Sequence, residues 1–198
     1  MQEDTFLTVA APSEAVFTSF RSKFLSFVIP ISSVENVKTY VDNFRKKYYD
    51  ARHVCYAYTM GADQSVYRAN DDGEPSGTAG KPILGQIYSK GLTNVLVVVV
   101  RYFGGVKLGT SGLIAAYKAV AAAAIAEAEI VERTVDERIG IAFTFESMND
   151  VMRIVKEESP QIVSQDYDTD CRMELQIRRS RVECLRERLM KVETLRFT

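Results

Sequence analysis

His53 and Cys55 are separated by a single residue, so on a strand their side chains share one face. An imidazole beside a thiol is the start of a cysteine nucleophile, in which the base draws off the thiol proton. The plainer reading is a packed strand whose inner face carries both groups. Further on, the stretch 71–84 reads DDGEPSGTAGKPIL. Its carboxylates, Asp71, Asp72 and Glu74, are hard oxygen donors that suit a cation and, through it, metal-assisted peptide hydrolysis. They lack the spacing and closing glutamate of an EF-hand loop, and no metal or other cofactor is expected. The same acids also suit capping of a following helix or pinning of local amides. A third reading is a stiffened recognition loop. Pro75 and Pro82 restrict φ, whereas Gly73, Gly77 and Gly80 open conformations closed to other residues. Ser76, Thr78 and Lys81 then join the acids as contact groups.

A second glycine-rich segment, RYFGGVKLGTSG over 101–112, lies between a buried strand pattern and a long helical one. Amides converging at a helix start favour an anion, and Gly104, Gly105 and Gly109 let a ligand approach the main chain. Arg101, Lys107 and the hydroxyls of Thr110 and Ser111 add donors. The segment has neither the Walker A spacing nor the G-x-G-x-x-G register of a dinucleotide site. Its glycines serve equally well as tight turns that let the helix pack close to a sheet. Tyr102 and Phe103 beside these cations, with Tyr56 and Tyr58 on the strand face opposite His53, have the composition that stacks on RNA bases. Tyrosines half-buried in a sheet explain them as well.

These groups must be held by a substantial core, and 46% hydrophobic residues in 198 supply one. Lys plus Arg number 25 against 26 Asp plus Glu, which excludes a strongly basic nucleic-acid coat but not a local patch. Three widely spaced cysteines, one histidine and no CxxC point to free thiols rather than a disulfide framework or zinc. The acidic start MQEDTFLTVAAP is unlike a signal peptide, and the strongest apolar run, 95–100, is too short to span a bilayer. A cytoplasmic protein with no membrane partner is expected.

Residues 1–135 read as one domain: strands up to 31, a helix over 32–48 opened by Ser32, Ser33 and Glu35, and strands at 53–58 and 65–68. A short helix near Pro82, a buried strand over 95–102, an alanine-rich helix over 110–129 and a strand over 130–135 follow. Residues 136–198 form a second domain. Alternation at Ile139, Ile141, Phe143 and Phe145 gives a strand, and Ser147 to Asp150 resembles a capping box before a helix. Strands at 161–165 and 171–178, with a turn over 166–170 between them, precede a second box at Ser180 to Glu183. A helix burying Val182, Leu185 and Leu189 and a strand over 194–197 complete the chain. The order βαββαβ is the ferredoxin-like pattern, so the fold class is α+β.

Four segments, SKF at 22–24, ARHVCYA at 51–57, DDGEPSGTAGKPIL at 71–84 and VRYFGGVKLG at 100–109, together resemble the YigZ/IMPACT family over about residues 15–130. The resemblance implies a two-layer α/β first domain of the ribosomal-protein-S-five-domain-two type, followed by a ferredoxin-like domain. Eukaryotic IMPACT relatives are translational regulators that compete for the activator of a kinase acting on an initiation factor; bacterial members have no settled activity. This sequence has TSGL at 110–113 where many relatives carry a small residue before Gly-Gly-Leu, so Ser111 narrows the approach to the backbone there. The leading expectation is a regulatory binding module in translation, contacting RNA, a ribosome or a translation-associated protein. A hydrolase built on Cys55 and His53 or on the 71–74 acids, and a binder of an anion or phosphate ligand, are the alternatives. All three readings place the two glycine loops side by side on one solvent-facing cleft with Arg101 and Lys107 as its cationic tips.

Overall fold

The run 95–100 lacks polar alternation because the strand that holds it, β6 (Val95–Tyr102), is covered on both faces. Val95, Val97 and Val99 enter one hydrophobic core, and Leu96, Val98 and Val100 enter another. The structure, a computed structural model, describes residues 4–168 and 170–198. Residues 1–3, at the acidic start, and Thr169, in the turn expected over 166–170, lie outside the described residues.

Contacts divide the chain into two units, Phe6–Arg133 and Thr134–Thr198, with Asp4 and Thr5 grouped with the second. In the first, β6 is the middle of a five-stranded sheet, flanked by β3 (Ser22–Pro30) and β2 (Ser13–Ser19) on one side. On the other side lie β4 (His53–Met60) and β5 (Val66–Asn70). Every neighbouring pair in this sheet is antiparallel. One face is covered by α2 (Gly80–Ser89) and α3 (Gly109–Ala126). The opposite face receives α1 (Val34–Lys47), whose Val37 and Val41 pack on Val54, Tyr58 and the even-numbered side of β6. Ser33 caps α1 by accepting from the Asn36 amide at 3.3 Å, and Asn36, not Glu35, holds the third helical position. β1 (Thr5–Val9) pairs with β7 (Ile130–Thr134) in a separate two-stranded sheet.

By length and composition alone, α3 could cross a membrane. Here its small residues do something else. Ala116, Ala121 and Ala124 let the helix lie close to the sheet, with Leu113, Tyr117, Val120 and Ile125 filling the core.

The second unit runs β8 (Asp136–Phe143), α4 (Met148–Glu158), β9 (Gln161–Tyr167), β10 (Cys171–Arg178), α5 (Val182–Leu189) and β11 (Arg196–Phe197). The sheet order β11-β8-β10-β9 is that of a ferredoxin-like fold. Ile139, Ile141, Phe143, Cys171, Met173, Leu175 and Ile177 line its core against both helices, as their alternation requires. Neither expected capping box forms. Ser147 Oγ accepts from Thr194 Oγ1 at 2.8 Å, and neither α4 nor α5 has a side-chain cap. Asp4 is the reason near Ser180: its carboxylate accepts from the Ser180 amide at 3.2 Å and from Arg178 Nε at 2.5 Å. Phe145 is left half exposed because the strand ends at Phe143 and the chain turns.

Candidate functional site

Strand register builds the site. On β4, His53 lies opposite Arg101 of β6, and Arg101 lies opposite Phe24 of β3. Side chains directly opposite across antiparallel strands share a face. Phe24, Arg101 and His53 therefore form one row directed toward the α2–α3 layer, with Cys55 on the same face deeper in the core.

The loop 71–79 folds over this row and is held by its own acids. Asp71 accepts from the amides of Gly77 at 2.8 Å, Ala79 at 3.0 Å and Gly80 at 2.8 Å, closing the loop onto the start of α2. Burial works to raise its pKa, but these amides and Lys81 outweigh it and hold the carboxyl below its ordinary value. Asp72 accepts from the Val54 amide and from Arg45 Nη2, each at 2.7 Å. Glu74 turns inward. Its Oε1 accepts from Arg101 Nη1 at 2.6 Å and from the Tyr117 hydroxyl at 2.8 Å, and Arg101 Nη2 donates to Ser22 Oγ at 3.4 Å. Arg101 is 5% exposed and Glu74 7%. The guanidinium carbon sits 5.5 Å from the Phe24 ring centre and 5.6 Å from that of Phe103. A buried ion pair of this kind needs its partners, since an arginine left alone in the core would be an uncompensated charge.

These contacts correct several expectations. Arg101 is not a solvent-facing cationic tip, because Glu74 neutralises it inside the fold. His53 and Cys55 are not a nucleophile pair. His53 Nδ1 donates to the Asp72 carbonyl at 2.7 Å, while the Cys55 sulfur sits 3.0 Å from the Asp71 carbonyl oxygen and 3.3 Å from the Tyr117 hydroxyl. Cys55 has no exposed surface, and burial, with the charges of Glu74, Asp72 and Asp71, pushes its thiol far up, away from thiolate character. The three acids point to three different sets of protein donors, and among the described residues no group of three His, Cys, Asp or Glu side chains is arranged to hold a metal. Tyr102 lies on the α1 face, its hydroxyl donating to Asp50 at 2.9 Å. Thr78 donates to the Pro75 carbonyl within the loop.

Two of the glycines serve close packing. A Cβ on Gly80 would lie 2.5 Å from the Asn70 amide nitrogen, and one on Gly104 would lie 2.1 Å from the Arg21 carbonyl carbon. Gly77, Gly105 and Gly109 have left-handed φ of 78°, 84° and 72°. Ser76 and Lys81 are exposed but do not line the cavity described next.

Above the buried pair opens a cavity of about 590 Å³. Glu74 and Pro75 of the first loop and Phe103, Lys107, Leu108 and Gly109 of the second both line it, so the two glycine loops do meet. Its remaining wall is Arg52, His53, Arg101, Thr110 and Leu113. The floor is apolar or internally neutralised, and Arg52 and Lys107 are exposed cations on the rim beside the half-exposed Phe103.

Sequence reasoning missed three contributors. Arg52 stands next to the histidine that drew attention, and only the cavity marks it as a rim cation. Tyr117 lies on a helix that reads as an alanine-rich packing element; a tyrosine on its buried face, whose hydroxyl must find a partner, was the available signal. Ser22 lies in the SKF segment of the family resemblance, but nothing in that segment marks it as an acceptor for Arg101.

A family model for the Impact N-terminal domain matches residues 20–125. The chain is 32% identical over 166 residues to the IMPACT family member YigZ of Escherichia coli (strain K12), covering 83% of this chain and 81% of the relative. It is 36% identical over 129 residues to the IMPACT family member YvyE of Bacillus subtilis (strain 168), covering 65% and 59%. A crystal structure described as that of an hypothetical protein superposes with a TM-score of 0.78 at 29% identity, covering 98% of this chain and 97% of that one.

Proposed function

Because this chain belongs to the IMPACT family, we propose that it is a regulatory binding protein of translation, a cytoplasmic module that engages RNA of the translation machinery through the cleft between its two glycine loops. The observation that carries this reading is a division of labour. His53 Nδ1, Cys55 and the carboxylates of Asp71, Asp72 and Glu74 are each tied to a protein partner, whereas Arg52, Lys107 and Phe103 stand exposed on the rim. Cations beside an open ring are the elements of RNA contact, with phosphates neutralised by the former and bases covered by the latter. The chain's net charge of −1 does not oppose this, because only the local field at the rim matters for docking.

The test is fractionation of ribosomal particles from cells making the tagged protein, with and without RNase treatment. The protein is expected to travel with the particles at low salt, to be released by RNase or by raised salt, and to be lost in the double variant Arg52→Ala/Lys107→Ala. Arg101→Ala is the wrong probe, since it removes a core ion pair. Sedimentation of the folded double variant identical to wild type overturns the reading, and displacement by inorganic phosphate but not RNA would replace it with a small anionic ligand.

A further inference from the structure

The hairpin between β2 and β3 turns on two residues, Phe20 and Arg21, with φ of 43° and 64°. Two consecutive left-handed residues make the turn type that favours Asn-Gly, because a Cβ is strained there. This chain puts a phenylalanine and an arginine in those places. The Phe20 side chain offsets none of that strain by burial, since the residue is 69% exposed. Backbone strain clusters at functional and contact sites, and here no burial of the ring offsets it.

The tip adjoins the cleft. Gly104 is pressed against the Arg21 backbone, and its amide donates to Ser22 Oγ at 3.3 Å. Phe103, next in the chain, is 49% exposed. Arg21 is exposed at the turn, and the Arg52 amide donates to the Arg101 carbonyl at 3.0 Å, so Arg21, Arg52 and Lys107 gather at one end of the sheet. Nearby carboxylates are engaged elsewhere: Asp50 by Tyr102, Asp72 by Arg45 and Val54, Glu74 by Arg101 and Tyr117. Cations and projecting rings are thus offered together without free acids among these groups.

We propose, building on the RNA-binding reading above, that the cleft and the hairpin tip together grip single-stranded RNA, with unpaired bases stacked on Phe20 and Phe103 and phosphates held by Arg21, Arg52 and Lys107. A duplex keeps its base faces stacked on one another, so projecting rings find nothing to cover; unpaired bases offer a face to each ring.

The experiment is fluorescence anisotropy of the full chain with a labelled uridine oligonucleotide and with an RNA duplex of equal length, at low and raised salt. The single strand is expected to bind more tightly than the duplex. Phe20→Asn removes the ring, keeps every charge and suits the left-handed backbone, so its thermal melting should match or exceed wild type while oligonucleotide affinity falls about tenfold. Phe103→Leu should act in the same direction. Equal binding of the two RNAs, with Phe20→Asn and Phe103→Leu unchanged but Arg52→Ala/Lys107→Ala weakened, overturns the single-strand grip and leaves RNA binding standing. Absence of binding to either RNA overturns both.

Discussion

The two glycine loops look alike in sequence and behave oppositely in the fold. Loop 71–79 has the more polar composition, yet its acids are committed inward: Asp71 to three amides, Asp72 to Val54 and Arg45, Glu74 to Arg101 and Tyr117. Loop 103–108 has fewer polar groups and leaves Phe103, Val106 and Lys107 to solvent. A polar loop is therefore no guide to a binding surface. What decides is whether its donors and acceptors are already satisfied within the chain, since an engaged carboxylate has little left to offer a ligand.

The comparison breaks most easily at Arg101. If the first loop is scaffold, Arg101→Ala strands the Glu74 carboxylate in the core and should cost about 3–5 kcal/mol in urea unfolding. A loss under about 1 kcal/mol would mean that the pair is solvated and free to act on a ligand. Asp71 comes next. Asp71→Ala leaves three amides without their acceptor and should cost about 2 kcal/mol. Its pH dependence sharpens the case. The folded carboxyl titrates below its ordinary value of 3.8, so the folded state binds fewer protons than the unfolded one. Its contribution is complete above that ordinary value and is lost as pH falls through the lower folded one. The stability gap between wild type and Asp71→Ala should narrow on acidification and stay constant near neutrality. The smallest effect belongs to the second loop. Lys107→Ala and Arg52→Ala should move the unfolding midpoint by no more than about 0.5 kcal/mol, because neither supports the core. A large destabilisation there would erase the distinction between the loops.

Much of this was legible from periodicity. Ile139, Ile141 and Phe143 with Cys171, Met173, Leu175 and Ile177 announce two half-buried strands, and the helices between complete the ferredoxin-like order. The valines of β6 announce a strand buried on both faces. The capping boxes at Ser147 and Ser180 were misleading for a physical reason. Partners distant in sequence compete for the groups a capping box needs: Thr194 donates to the Ser147 hydroxyl, and Asp4 accepts from the Ser180 amide that Glu183 would otherwise take. The parity of β4 correctly separates His53 from Tyr56, but parity alone does not say that His53 and Cys55 donate to neighbouring carbonyls of a returning loop.

Alternation and helical spacing are properties of neighbouring residues, so the order of elements, the burial of β6 and the family resemblance were all determined by the linear sequence. Which charge faces solvent was not. Arg101 and Lys107 read as equivalent donors six positions apart, yet one is neutralised by Glu74 and the other is bare. That outcome depends on strand register and on a loop folding back onto a residue 27 positions further along the chain, and desolvation is a property of the assembled surroundings rather than of the side chain.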